Sequence, residues 1–145
     1  MAITQAICNS FKKELLEGDH NFDSGGDVFK LALYTSAATL NSATTAYTAT
    51  SEIGDTGTYS AGGGTLVNSG TSQIGGVAFC DFADLSFTGV TLTARGALIY
   101  NTSATVTDAA VAVLDFTTDK SASDGTFTII FPADTSAAAI LRISG

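Results

Sequence analysis

Two apolar stretches dominate the hydropathy pattern. Leu92 to Asn101 (LTARGALIYN) and Ala110 to Phe116 (AVAVLDF) are short, rich in Val, Ile, Leu and Tyr, and separated by the polar run Thr102 to Asp108. Such residues suit a pleated, buried surface, so both stretches predict central strands with a turn between them. Val28 to Thr35 (VFKLALYT) predicts a further strand. Its Phe29, Leu31, Leu33 and Thr35 face is the more apolar one and is expected to point inward, opposite Lys30, Ala32 and Tyr34.

Shorter strands are expected at Thr65 to Ser69 and Gly76 to Phe82, about a Gly-Ser-Thr turn, and at Leu85 to Phe87, where Gly89 breaks the run. The polar run TTDKSASDG after Phe116 reads as a turn closing on Asp124-Gly125. Thr126 to Phe131 follows as a strand ended by Pro132, Ala133 to Ser136 as a turn, and Ala139 to Ser144 as the last strand. The count is roughly seven to nine short strands at spacings of about ten residues. That predicts a single all-β domain, an antiparallel β-sandwich or jelly-roll-like barrel, carrying one N-terminal α-helix.

The helix is expected over Thr4 to Glu17, where Ile3, Ile7, Phe11 and Leu15 recur every four residues, with Thr4 as its cap and Gly18 as its stop. Its apolar row packs either on the protein's own sheet or on a partner, which makes Ile7, Phe11 and Leu15 candidate contact residues. Between Ser36 and Gly64 the pattern fades into Ser, Thr, Ala and Gly. Short edge strands or turns are expected around Tyr47 and Tyr59, in an otherwise flexible surface arm, and those two tyrosines are the candidate contacts there. The glycines at 62 to 64 lack the Lys-Ser/Thr pair of a phosphate loop and are read as a backbone turn.

Composition sharpens this in three ways. Charged residues make up 14% of the 145-residue chain, with Thr, Ser, Asn and Gly supplying the polarity, as in all-β chains. The formal net charge is −8, with six Lys and Arg scattered along the sequence, so no basic footprint for nucleic acid exists. The longest apolar run, near Ala137 to Leu141, is far shorter than the ~20 residues of a membrane span, and no secretory pattern follows Met1; a soluble protein made in the cytoplasm is expected.

Catalytic and cofactor chemistry is not legible. His20 is the single histidine, without Cys or His at metal-binding spacing, and it falls in a polar loop. Cys8 and Cys80 read as small buried hydrophobes. Asp81 and Asp84 read as a solvated turn, and Asn101-Thr102-Ser103 as a chance sequon. No cofactor, metal or catalytic residue is expected, and an enzyme such as a small glycan hydrolase has no specific support among the 14 acidic residues. Arg95, a charge inside a central strand, is expected to pair with Asp115 or to touch another subunit.

Five segments carry a family resemblance: TQAICNSFKKELLEGDHNF, DVFKLALYTSAATL, ARGALIYN, AVAVLDF and TFTIIFPADTSAAAILRIS. Together they resemble a family of small virion-associated proteins of tailed bacteriophages and prophages, over nearly the whole chain and least between Ser36 and Gly64. The resemblance implies a structural protein like a capsid cement or decoration protein. It would sit on the capsid exterior, bind the major capsid protein and act as a dimer or trimer. The alternative is a tail- or fibre-associated module that recognises a host surface ligand through the loops at Tyr47 and Tyr59. The family offers no catalytic motif and no contact residue to carry over.

Overall fold

The computed structural model of the chain describes residues 2–145. Its elements are β1 (Ala6–Ile7), α1 (Asn9–Leu16), β2 (Phe29–Tyr34), β3 (Gly64–Thr65), β4 (Asn68–Ile74), β5 (Val77–Phe82), β6 (Leu85–Asn101), β7 (Ala109–Ile129) and β8 (Leu141–Ser144). They form two antiparallel sheets, a five-stranded one ordered β1-β7-β6-β2-β3 and a three-stranded one ordered β4-β5-β8. This is an all-β sandwich with one short helix. Each sheet ends on edge strands, so of the two expected architectures the sandwich is the one observed.

The two central strands are the long arms of one hairpin, paired from Leu85↔Ile129 to Asn101↔Ala109. Sequence reading breaks this hairpin at Gly89 and turns it at TTDKSASDG, and both expectations are corrected. The ladder runs through them as bulges, with positive φ at Gly89, Thr117 and Asp124 and register shifts near Phe87, Val90 and Ala94. Turn-forming residues also make bulges, because both need one residue out of the extended conformation. The hydroxyls on this polar stretch pair across the ladder, Ser86 with Thr128 at 2.9 Å and Thr93 with Ser121 at 2.8 Å. The true tight turn of the small sheet lies at Gly75-Gly76, φ +58° and +81°, and not at the expected Gly-Ser-Thr.

The helix is shorter than expected. Ile3 bridges Leu40, Ala6 and Ile7 pair with Val113 and Ala112 as a strand, and α1 begins only after Cys8. Thr4 therefore caps nothing; the N-cap residue is Cys8, with no side-chain cap bond. A spacing of four fits a strand as well as a helix, since four is a multiple of two, so Ile3 and Ile7 do not discriminate. Gly18, at φ +78°, does end the helix as expected.

Both faces of β2 are buried, which corrects the expectation of one outward face. Phe29 stands on the face that meets the second sheet. It stacks on Phe22 at 4.3 Å and lies 5.7 Å from Phe82, which in turn contacts Phe131 at 5.5 Å. The opposite face carries Tyr34 and, across the register, Tyr100, Leu98 and Gly96. Residues 36–63 lie over it. The segment expected as a flexible arm is thus a cover, with its own Ala38, Leu40, Ile53 and Tyr59 buried.

His20, expected in a polar loop, is buried. Its Nε2 lies 2.9 Å from Glu14 Oε1, and its Nδ1 accepts from the Asn101 amide at 2.9 Å. That donor fixes the tautomer with the proton on Nε2. The same Asn101 amide donates to Asp27 at 2.8 Å, so helix, loop and β6 are pinned at one polar point. Asn101 is fully buried, which leaves its sequon without an accessible acceptor. Asp81 also corrects its expectation. It is 2% exposed, its Oδ2 has no partner, and burial, followed by Asp134 and Asp84, raises its carboxyl above the usual range.

Gly63 shows how tightly the cover is seated. Its φ is +87°, and a Cβ there would lie 1.9 Å from the Leu31 carbonyl oxygen. Gly63→Ala is expected to cost more than about 3 kcal/mol, whereas Gly54→Ala, whose Cβ meets nothing within 4 Å, should stay within about 0.5 kcal/mol. Urea denaturation midpoints measure both; equal midpoints would mean the segment does not rest on β2.

Candidate docking groove

Phe11 and Leu15 sit one helical turn apart on α1, and Ile7 reaches the same place from β1. The three line a groove of about 730 Å³ between α1 and the small sheet. The facing wall follows from strand register. Cys80 opposes Leu141 and Ala78 opposes Ile143, so all four share the sheet face that continues inward to Phe82. At Phe82 that face is closed by the aromatic stack. At Ala78 and Ile143 it is open, and Ile143 is 60% exposed. The sandwich therefore splays at one end and leaves an apolar wedge. Among the five candidate contact residues, the structure brings Ile7, Phe11 and Leu15 together here; Phe11 is buried and Leu15 half-buried.

The groove is also distinct in charge. Lys12 and Arg142 line it and no carboxylate does, in a chain with 14 acidic and six basic residues. His20 contributes to the lining, but both ring nitrogens are engaged by Glu14 and Asn101. Cys80 is a free thiol that burial pushes up to about 12, so it is no thiolate nucleophile at neutral pH. Cys8, also free and buried, is pushed up to about 11 for the same reason. Past Ile140, which lines both, a second groove of about 440 Å³ runs over Leu114, Phe116 and Phe127. Arg95 meets Asp115 as expected, Nε to Oδ1 at 3.4 Å, a half-exposed pair worth under about 1 kcal/mol.

Tyr47 and Tyr59 belong elsewhere, and their expected role as surface contacts is corrected. All four tyrosines of the chain gather on the sheet face opposite the groove, around Glu52. Tyr59 is fully buried; its hydroxyl donates to Glu52 Oε1 at 2.8 Å and accepts from the Leu33 N–H at 2.8 Å. Tyr47 donates to Glu52 Oε2 and stacks on Tyr100 at 4.9 Å. The Gly62 N–H completes the set at 2.6 Å from Oε1, and Tyr34 donates to the Thr48 carbonyl at 2.6 Å. Glu52 is the residue that sequence reading missed. In a Ser- and Thr-rich run, one acid gives no signal that three donors converge on it.

Among the described residues, no group of three or more His, Cys, Asp or Glu is placed to hold a metal ion. No helix is long and apolar enough to cross a membrane. Compared with protein-family models, with curated proteins and with solved structures, the chain has no match.

The tyrosine cluster sets an alkaline limit. Burial raises all four phenols above their ordinary 10.0, Tyr100 up to about 12, with the Glu52 charge adding to it. Folded values above unfolded ones mean that this contribution to stability is complete below pH 10.0 and is lost as pH rises through the folded values. Spectrophotometric titration should show no tyrosinate in the native protein near pH 10.0, then ionisation together with unfolding. Glu52→Ala, which strands three donors, should cost about 3 kcal/mol and open residues 36–63 to protease. Ordinary titration near pH 10.0 in the folded wild type would contradict the packing described.

Proposed function

We propose that the chain is a non-enzymatic structural protein of a tailed-phage virion: a capsid cement or decoration protein that binds and stabilises the shell of major capsid protein. The reading starts from the resemblance of the five sequence segments. The structural observation that carries it is the open apolar groove at Ile7, Phe11 and Leu15 on a sandwich whose large sheet is buried on both faces at its centre. A protein that ties neighbouring subunits together needs a stiff scaffold, because compliance in the tie would forfeit binding energy to ordering. It also needs exposed apolar surface to remove from water at the seam. The long hairpin, buried on both faces at its inner end, supplies the first, and the groove supplies the second.

In this reading the protein is made in the host bacterial cytoplasm and ends on the capsid exterior, where a symmetric lattice favours a dimer or trimer. The net charge of −8 keeps it soluble before assembly and disfavours binding to packaged nucleic acid. The tail- or fibre-associated reading used Tyr47 and Tyr59 as ligand contacts. Both hydroxyls are committed to Glu52, so no observation favours it.

Copy number tests the proposal. Quantitative mass spectrometry of purified virions should give a ratio to the major capsid protein near one, or a simple fraction of one. A handful of copies per particle would place the chain at the tail or portal and end the cement reading.

A further inference from the structure

The sheet edges are those of β1, β3, β4 and β8, together with β7 beyond β1, and all but β8's are blunted; β7 there is bent by positive φ at Thr117 and Asp124. β1 and β3 are two residues each, too short to template a partner. β4 is longer, but its ladder is broken by a register shift between Asn68 and Thr71, and Gly70 sits there at φ +95°. β8 has none of these protections. Its register on β5 is continuous from Val77↔Ser144 to Cys80↔Leu141, and its sequence, LRIS, holds no proline and no carboxylate. Among the described residues, backbone hydrogen bonds reach β8 from β5 alone. Its outer N–H and C=O groups are therefore open to a further strand.

The groove lies beside this edge. Leu141 and Ile143 of β8 line it, facing Phe11 and Leu15 across the wedge. A strand added to β8 continues the inner face of the small sheet, and every second side chain of that strand extends the apolar wall. Charge selects the occupant. The two cations at the groove are Lys12, on α1, and Arg142, which pairs with Phe79 and so stands on the outward face of the edge. A second copy pairing β8 on β8 would bring another Arg142 to the same edge, a like-charge contact. An acidic strand meets opposite charge instead.

We infer that β8 is a docking edge: it takes up an extended segment of the partner protein, apolar toward the groove and bearing, on its other face, carboxylates for Arg142. The inference rests on the reading of this chain as a binding protein of an assembly and names the chemistry of the segment it binds.

The test uses the full chain, isotope-labelled, with two octapeptides as probes, one alternating valine and glutamate and the other valine and lysine. The glutamate peptide should protect β8 amides from hydrogen exchange and bind about tenfold or more tighter than the lysine peptide at low salt, the gap closing at high salt. Ile143→Asp, at an exposed position, should abolish binding, and Arg142→Glu should reverse the preference between the peptides. Equal binding of both peptides, shifts confined to other edges or to the second groove, or no protection at β8 would each overturn the inference. So would β8 protection in the peptide-free protein that is lost on dilution, because the occupant would then be a second copy, or groove shifts produced by oleate and by neither peptide. Shell-like copy number without protection at β8 overturns the edge assignment and leaves the cement reading standing. Protection at β8 in a low-copy protein keeps the edge and ends the cement reading.

Discussion

The centre of the large sheet is apolar on both faces, and the rest of the structure answers that constraint. Phe29, Leu31, Ala32, Leu33 and Tyr34 of β2 are all fully buried, as are Ala97 and Leu98 on β6 and Val111 and Val113 on β7. A sheet buried on both sides needs two covers, and a chain this size has one spare sheet to offer. The small sheet covers one face through the Phe22, Phe29, Phe82 and Phe131 stack. The other face is covered by residues 36–63, which have almost no regular structure. Burial of each large apolar side chain beneath them contributes roughly 1.5–3 kcal/mol, enough to hold an irregular segment that could not order itself.

An irregular cover has backbone and side-chain polar groups that need partners, and this protein supplies them at two buried polar points. Glu52 gathers two tyrosine hydroxyls and the Gly62 N–H on one face. Asn101 joins His20 and Asp27 on the other, with Glu14 behind the imidazole. Such points act as registers, since they are satisfied in one arrangement and costly in any other. Asp81 departs from this pattern. One of its oxygens is buried without a partner, and the raised carboxyl is the electrostatic sign of that.

The same two-layer arrangement explains why an apolar groove exists. The small sheet has three strands against five, and its inner face is closed only where Phe82 meets the aromatic stack. α1 approaches from the other side but is eight residues long, and the wedge between them stays open. Its walls come from Ile7, Phe11 and Leu15 on one side and from β5 and β8 on the other. Solvent-facing apolar surface is thus left beside the edge of β8.

Much of this was legible in the sequence. The all-β class, the two central strands, the inward row of Phe29, Leu31 and Leu33, the buried cysteines, the Arg95–Asp115 pair and the Gly18 stop depend on local periodicity and composition, which the chain carries wherever it folds. The apolar character of Ile7, Phe11 and Leu15 was legible too, though not that Ile7 would be a strand. Tertiary structure alone decided the rest. Whether TTDKSASDG turns or bulges depends on a partner strand more than ten residues away. Whether residues 36–63 wave or cover depends on the apolar face of β2 beneath them. Whether Tyr47 and Tyr59 are contacts or core depends on Glu52. Those are long-range choices between conformations of similar local energy, and only the surface each segment lands on separates them.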